Sequence, residues 1–209
     1  MSITVRWLGH AAFKITAGDM VLYIDPWKLF EPTPDAAVIL VSHSHYDHYS
    51  PEDIAKISTP DTQLLAPADV IDQHGSGRPF PPGQTFDWDC LSVTAVAAYN
   101  LDKQFHPKEN NWLGFVIDVA DRRIYYAGDT DLIPEMHDLK NIDLALLPVG
   151  GTYTMDAEEA AEAVKIFHPQ RALPYHFGDV VGSRLDAEVF FQNAPCDVEL
   201  LRPGDSLSL

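Results

Sequence analysis

Cysteine is almost missing from this 209-residue chain: the two that occur, Cys90 and Cys196, stand far apart with no partner at ligand spacing. That argues against a disulfide framework and against a cysteine-built zinc site, and a reducing, cytoplasmic setting is expected. Basic residues are also scarce, 14 against 31 acidic ones, for a formal charge of −17. The surface field repels polyanions at long range, so nucleic acid is not an expected partner. Long apolar runs are missing too. No stretch reaches the roughly 18 residues that a membrane span needs. Gly9, His10, Lys14 and Asp19 interrupt the N-terminal region where an export signal requires a continuous apolar core, so none is expected. What is there, 46% hydrophobic and 22% charged residues, is ordinary globular composition in a length suited to one domain, residues 1–209.

Short β-leaning runs open the chain. Ile3 to Leu8, Ala11 to Thr16 and Met20 to Ile24 are separated by Gly9-His10 and Gly18-Asp19, which predicts consecutive hairpins. Further strands are predicted at Ala37 to Val41, Gln63 to Ala66, Leu91 to Ala98, Trp112 to Val119, Arg123 to Ala127, Ile142 to Leu147 and Arg171 to Tyr175, with Val198 to Leu201 in a closing pair. Ser50 as N-cap with Pro51 at the first helical position predicts a helix to Ile57, and Ser183 one through Phe191. Asp156 and Glu159 form a capping-box pattern ahead of the stripe Ala160, Ala163, Val164 and Phe167, spaced for the buried face of a helix on a sheet. His74 to Gly83 reads as a Gly/Pro-rich loop.

The chemistry concentrates directly after the apolar run Val38 to Val41. His43, His45, Asp47 and His48 place four potential metal ligands within six residues. Imidazole and carboxylate suit zinc, and also manganese or iron. The other candidates follow predicted strands: Asp25 after Ile24, Asp129 after Ala127-Gly128, His176 after Tyr175. If those strand ends share one edge, rigid elements hold a multi-ligand pocket while loops cover it.

His43-Ser44-His45-Tyr46-Asp47-His48, Gly128-Asp129-Thr130 and Tyr175-His176-Phe177-Gly178 resemble the metallo-β-lactamase superfamily across almost the whole chain. Leu8-Gly9-His10, Tyr23-Ile24-Asp25-Pro26, Tyr126-Ala127-Gly128-Asp129-Thr130-Asp131 and Leu147-Pro148-Val149-Gly150 resemble, more narrowly, its small metal-dependent hydrolases related to ascorbate-6-phosphate lactonase. The resemblance implies an α/β fold, a four-layer αββα sandwich with the site along one edge of two sheets. It further implies one metal on His43, His45 and a third ligand, a second on Asp47, His48 and His176, Asp129 bridging them, and Asp25 orienting the metal-binding loop. Two ions, zinc first, are therefore expected.

One position departs from the family pattern. Where a His usually follows the strand matching Leu91 to Ala98, this chain has Tyr99-Asn100. His106, a few residues on, is favoured over Asn100 as the third ligand, because imidazole binds zinc better than an amide oxygen. Lys103 and Lys108 bracket it and are candidates to attract an anionic group on a small-molecule substrate, with a solvated loop as the other reading. His10 is a candidate for proton transfer or substrate binding, with a backbone-bonded structural role as the other reading. His168 at a helix end reads as structural, His74 and His137 as surface residues, and Trp7, Trp27, Trp88 and Trp112 as packing aromatics. The expected reaction is hydrolysis of an ester, lactone or phosphoester, in which two metals lower the pKa of a water toward about 7. Asp47 and Asp129 hold that water, and His10 or His106 supplies the leaving-group proton. A non-catalytic metal-binding protein and a di-iron oxidoreductase on the same fold are the competing readings.

Overall fold

The computed structural model describes residues 2–209. The opening alternation produces the antiparallel strands β1 (Ile3–Gly9), β2 (Ala12–Ala17) and β3 (Met20–Ile24). Ile3, Val5 and Trp7 are buried while Thr4 and Arg6 keep solvent contact, as the two-residue side-chain period requires. β4 (Val38–Leu40), β5 (Gln63–Ala66) and the two-residue β6 (Arg78–Pro79) extend this sheet in parallel from β3.

The second sheet forms the same way around a meander: β7 (Thr85–Trp88), β8 (Leu91–Ala97), β9 (Leu113–Val119) and β10 (Arg122–Tyr126) are antiparallel neighbours. β11 (Leu144–Pro148), β12 (Arg171–Tyr175) and β13 (Asp197–Val198) then add in parallel, and β14 (Ser206–Ser208) returns to pair with β1. The result is two mixed seven-stranded sheets, ordered β14-β1-β2-β3-β4-β5-β6 and β13-β12-β11-β10-β9-β8-β7.

Facing aromatic and aliphatic side chains join the sheets. Phe13 from the first lies edge-on to Tyr126 and Tyr175 of the second, with ring centroids 6.1 and 5.6 Å away. The outer faces are covered by helices. α1 (Pro51–Ile57) and α2 (Ala68–His74) bury Ile54, Ile57 and Val70 with Tyr23, Ile39, Val41 and Leu64 of the first sheet. α3 (Ala157–Phe167) and α4 (Arg184–Asn193) cover the second, where Phe167 packs edge-on against Tyr125. This is the αββα sandwich that the resemblance implied.

The caps form as the sequence predicts. Ser50 accepts from the Asp53 N–H, and Asp156 and Glu159 make the reciprocal capping box of α3. His168 ends α3 in the left-handed conformation, φ 48°, in keeping with its structural reading.

Two local expectations are corrected, and one helix forms where none was expected. α2 forms with no side-chain N-cap, since Pro67 stands there; it closes on Gly75 in the left-handed conformation, and Val70 is its one buried residue. The loop from His74 to Gly83 contains β6, which is only two residues long and exposed. Val198 to Leu201 enters a strand only at Val198; Leu200 and Leu201 pack on the core as irregular chain, and the last strand is the polar β14.

Candidate metal centre

β1, β3 and β4 run in one direction, and so do β8, β10 and β12, so the C-terminal ends of both sets gather on one edge of the sandwich. His10, Asp25 and His176 each leave their strand in the left-handed conformation, with φ of 46°, 44° and 62°, turning the chain over that edge. Gly128 (φ 70°) does the same ahead of Asp129, and here only glycine fits, because a Cβ would collide with the Leu113 carbonyl.

The side chains converge across the two sheets. Asp129 is the hub: its Oδ2 lies 3.1 Å from His176 Nε2, 3.3 Å from His106 Nε2 and 3.9 Å from His43 Nε2, and its Oδ1 lies 3.3 Å from His48 Nε2. His43 Nε2 is 3.1 Å from His45 Nδ1. Asp47 Oδ2 sits 3.9 Å from His176 Nε2 and 4.0 Å from His48 Nε2. The donor atoms of His43, His45 and His106 form one group that could hold an ion, those of Asp47, His48 and His176 with His10 form another, and His43, His48 and Asp129 connect the two.

Outer hydrogen bonds fix the rings so that their lone pairs face inward. Asn100 Oδ1 accepts from both the backbone N–H and Nδ1 of His106, at 3.0 Å each, leaving Nε2 to point at the centre. The backbone of the same residue closes the 101–105 loop, because the Asn100 main-chain N–H donates to the His106 carbonyl. Asn100 is held in turn by Asp131 Oδ1 and the Tyr153 carbonyl. Asn100 therefore orients His106, and His106 is the side chain that reaches the centre. On the opposite side, Asp25 accepts from His48 Nδ1 at 2.7 Å and from Ser42 Oγ at 2.6 Å, and Ser42 Oγ accepts from His43 Nδ1 at 2.9 Å.

The test of whether a cation fits is the bonding left unmade. His48 Nε2, His106 Nε2, Asp129 Oδ1, both ring nitrogens of His176 and His10 Nδ1 are buried without a hydrogen-bond partner. Buried polar atoms are seldom left this way; Asp69 Oδ1 and Gln84 Oε1 are also unpartnered outside the cluster, but five of the eight such side-chain atoms among the described residues belong to His48, His106, Asp129 and His176 around the centre. An N/O donor set of this kind suits a divalent metal, and the residues fit one.

The electrostatics agree. Burial alone would raise the Asp129 carboxyl, but the surrounding imidazoles of His176 and His48 hold it well below the usual range. Burial likewise works against Asp47, yet the hydrogen bond from His10 and the charge of His48 bring it down to about 2. His43, His45 and His10 are depressed, chiefly by desolvation, while His48 is raised well above its ordinary value because Asp129 and Asp25 outweigh its burial. In metal-free protein a proton on His48 thus supplies positive charge that a metal would otherwise bring.

These directions set a pH profile for the metal-free protein. The depressed His10, His43 and His45 take up protons in the unfolded chain first, so their contribution is present above about pH 6.5 and is lost as pH falls. His48 runs the other way: its contribution is full below about pH 6.5 and is lost as pH rises through the folded value. Metal-free stability should therefore peak near neutrality, and metal, which needs His48 neutral, should remove the alkaline decline. Urea denaturation at about pH 5.5, 7 and 8.5 with and without chelator measures this; a flat metal-free profile would contradict it.

Around the centre lies a cavity of about 220 Å³ whose floor includes His45, Asp47, Asp129 and His176 and whose walls include Tyr46, Phe105, Tyr153 and Val180. Lys103 and Lys108 do not line it, which corrects the expectation that they face a substrate. Lys103 Nζ is 2.5 Å from Asp131 Oδ1 and 3.0 Å from the Thr154 carbonyl; Lys108 Nζ donates to Glu135 and to the Tyr99 hydroxyl. Both brace the His106 loop. Buried His10 gives Nε2 to Asp47 Oδ2 at 3.0 Å and does not line the cavity either. Trp112 packs against His43 and His45, whereas Trp27 packs against His10 and Trp7 donates to the His10 carbonyl, so one tryptophan supports candidate ligand rings and two hold His10. Half-buried His74 packs against Tyr49 and His137 is exposed, both away from the centre.

Four supporting residues were not singled out by the sequence: Ser42, Tyr126, Asp131 and Asn100 in its orienting role. Position offered a signal for two of them. Ser42 directly precedes His43, and Asp131 lies two residues past Asp129.

Residues 4–176 match the beta-lactamase superfamily domain, and the chain belongs to that family, with the metallo-β-lactamase fold. Similar curated proteins include UPF0173 metal-dependent hydrolases. The protein from Pyrobaculum arsenaticum is 32% identical over 228 aligned residues, covering 98% of this chain and 99% of the relative. That from Thermoplasma acidophilum is 34% identical over 206, covering 90% and 89%. Among solved structures, one from Parabacteroides distasonis superposes with a TM-score of 0.87 at 31% identity, over 97% of this chain and 94% of that one.

Proposed function

We propose that the chain is a hydrolase working through two divalent ions, with zinc the best match to its donors, on an ester, lactone or phosphoester of a small molecule. The observation that carries this reading is the set of buried, unpartnered His and Asp atoms turned toward one another at the sheet edge. The metal-dependent hydrolase names of full-length relatives support the same reaction class.

His43, His45 and His106 would hold one ion, Asp47, His48 and His176 the other, with Asp129 between them. Bound there, the ions would lower the pKa of a water toward about 7 and polarise the oxygen of the scissile bond. Asp129 and Asp47 would accept hydrogen bonds from the attacking water and set its direction. His10 acts on Asp47 rather than on substrate: its Nε2–H fixes Oδ2, a positioning role in place of the proton transfer expected from sequence. His106 keeps its Nδ1–H on Asn100 and has no proton to offer a leaving group while it ligates.

The reading makes this a single-domain enzyme acting on small molecules, with neither nucleic acid nor membrane as partner. No helix among the described residues is long and apolar enough to cross a membrane. Two free cysteines, Cys90 exposed and Cys196 half-buried, favour a reducing cytoplasm.

Metal loading followed by elemental analysis and assay against ester, lactone and phosphodiester substrates tests the proposal. Close to two ions should bind, and chelation should abolish turnover. His106→Ala should lose one ion, whereas Asn100→Ala should weaken that site by about 10- to 100-fold, the usual cost of losing an outer partner. Absence of stoichiometric metal after loading at neutral pH sinks the reading.

A further inference from the structure

The walls of the cavity are apolar and carry no cation. Phe105 and Tyr153 meet edge to face, ring centroids 4.7 Å apart at 89°, and with Tyr46 and Val180 they line the same cavity as His45, Asp47, His106, Asp129 and His176. Phe105 is 46% exposed and Tyr46 67% exposed, so both present ring surface to whatever enters. Exposed aromatic area beside a polar floor is the usual composition of a small-molecule site. Its capacity is modest: 220 Å³ is the liquid share of roughly seven waters.

The charges point the same way. No Lys or Arg lines the cavity. Lys103 and Lys108 are engaged by Asp131 and Glu135, and Lys28 by Asp179 at 2.8 Å, with its Nζ also 4.1 Å from the Trp27 ring. Against a chain of charge −17, an anionic substituent reaching past the ions finds no fixed cation. An uncharged ring finds Phe105 and Tyr153.

We propose that the site takes neutral esters or lactones carrying one small aromatic or branched apolar group, seated against Phe105 and Tyr153, and discriminates against anionic ones. This rests on the hydrolase reading above. In the reaction the water oxygen bonds to the carbonyl carbon, the carbon–oxygen bond to the alcohol breaks, and a water proton ends on the departing alkoxide. Neither redox change nor a co-reactant is needed.

Calorimetric titration of the zinc-loaded protein with three hydroxamates separates the parts. Acetohydroxamate probes the metal centre alone, benzohydroxamate adds a neutral ring, and para-carboxybenzohydroxamate adds a charge to that ring. Benzohydroxamate should bind about tenfold tighter than acetohydroxamate, the scale expected for burying a ring against aromatic partners. The carboxylated probe should lose most of that gain. Phe105→Ala and Tyr153→Ala should each bring benzohydroxamate close to acetohydroxamate without changing acetohydroxamate affinity or metal content. Phe105 is half exposed and Tyr153 anchors Asn100 through its backbone carbonyl, so neither side chain holds the fold together.

Equal or tighter binding of the carboxylated probe overturns the proposal, as does a benzohydroxamate affinity untouched by both substitutions. Failure of acetohydroxamate itself to bind metal-loaded protein would overturn the hydrolase reading, and this inference with it.

Discussion

Asp129→Ala should release both ions together and bring hydrolysis to background. Its carboxylate lies within 4 Å of four ring nitrogens, those of His176, His106, His48 and His43, which come from both sheets. Removing it leaves four imidazoles facing one another with no anion between them, so a cation in either group loses its nearest shared counter-charge. Loss of an outer partner alone costs about 10- to 100-fold in metal affinity, so loss of a shared ligand should cost about 100-fold or more at each group. Catalysis should fall further. The water that Asp129 would orient loses its acceptor at the same time, and a single misplaced group at a reacting centre is commonly worth about 10² to 10³ in rate. Asp129→Asn separates shape from charge: it fills the same space, keeps an acceptor oxygen, and should retain weak binding of one ion. Competition with a chromophoric chelator reads both affinities, and the metal-free variants should keep the parent's far-UV spectrum, since Gly128 and not Asp129 sets the turn. Retention of two ions at parental affinity would show that Asp129 bridges nothing.

The parts of this centre legible in the sequence are those encoded over a few residues. His43, His45, Asp47 and His48 are adjacent, and Asp25, Asp129 and His176 each follow a recognisable apolar strand, so both identity and position along the edge follow from local pattern. His106 was a choice between two residues, and the deciding fact is not local: Asn100 spends its oxygen on His106 and its amide on Asp131 and the Tyr153 carbonyl, partners 31 and 53 residues away. The lysines failed for a similar reason. Lys103 and Lys108 stand beside His106 in sequence, but the carboxylates that capture them, Asp131 and Glu135, arrive from beyond β10. In the fold, α2 was missed because it has no side-chain N-cap, and β14 because edge pairing, rather than its own residues, stabilises it. Neighbourhood in sequence pointed to the candidate ligands and to Asp25 behind them, and neighbourhood in space added Ser42, Tyr126, Asp131 and the orienting role of Asn100.

Asp25→Ala should be the most destabilising change near the centre and should also impair metal binding, although Asp25 reaches no ion itself. The side chain is fully buried and accepts four hydrogen bonds: from the Ser42 N–H at 2.7 Å, the Ser42 hydroxyl at 2.6 Å, His48 Nδ1 at 2.7 Å and the Tyr126 hydroxyl at 2.5 Å. Tyr126 comes from the opposite sheet, and burial together with the Asp25 charge holds its phenol well above the ordinary range, so it remains a donor. Alanine strands all four donors in the interior and must also adopt a φ of 44°. Breaking a buried, hydrogen-bonded charge by removing one partner costs about 3–5 kcal/mol, which for a chain of this size lowers Tm by roughly 6–20 °C. The functional loss follows from orientation. His48 without Asp25 is free to rotate or to move its proton to Nε2, and His43 loses the bonded Ser42 hydroxyl that fixes its own tautomer. The group containing His48 should lose about 10- to 100-fold in affinity and the group containing His43 less, because its tether to Asp25 passes through Ser42. Tyr126→Phe is the control: it removes one donor, leaves the carboxylate with three, and should cost about 1 kcal/mol with both ions retained. Thermal melts of metal-free protein and separate metal titrations read the two effects independently. An Asp25→Ala protein that melts within a degree or two of the parent, or that binds metal as the parent does, would mean that the four hydrogen bonds on this carboxylate neither hold the sheets together nor aim the ligands.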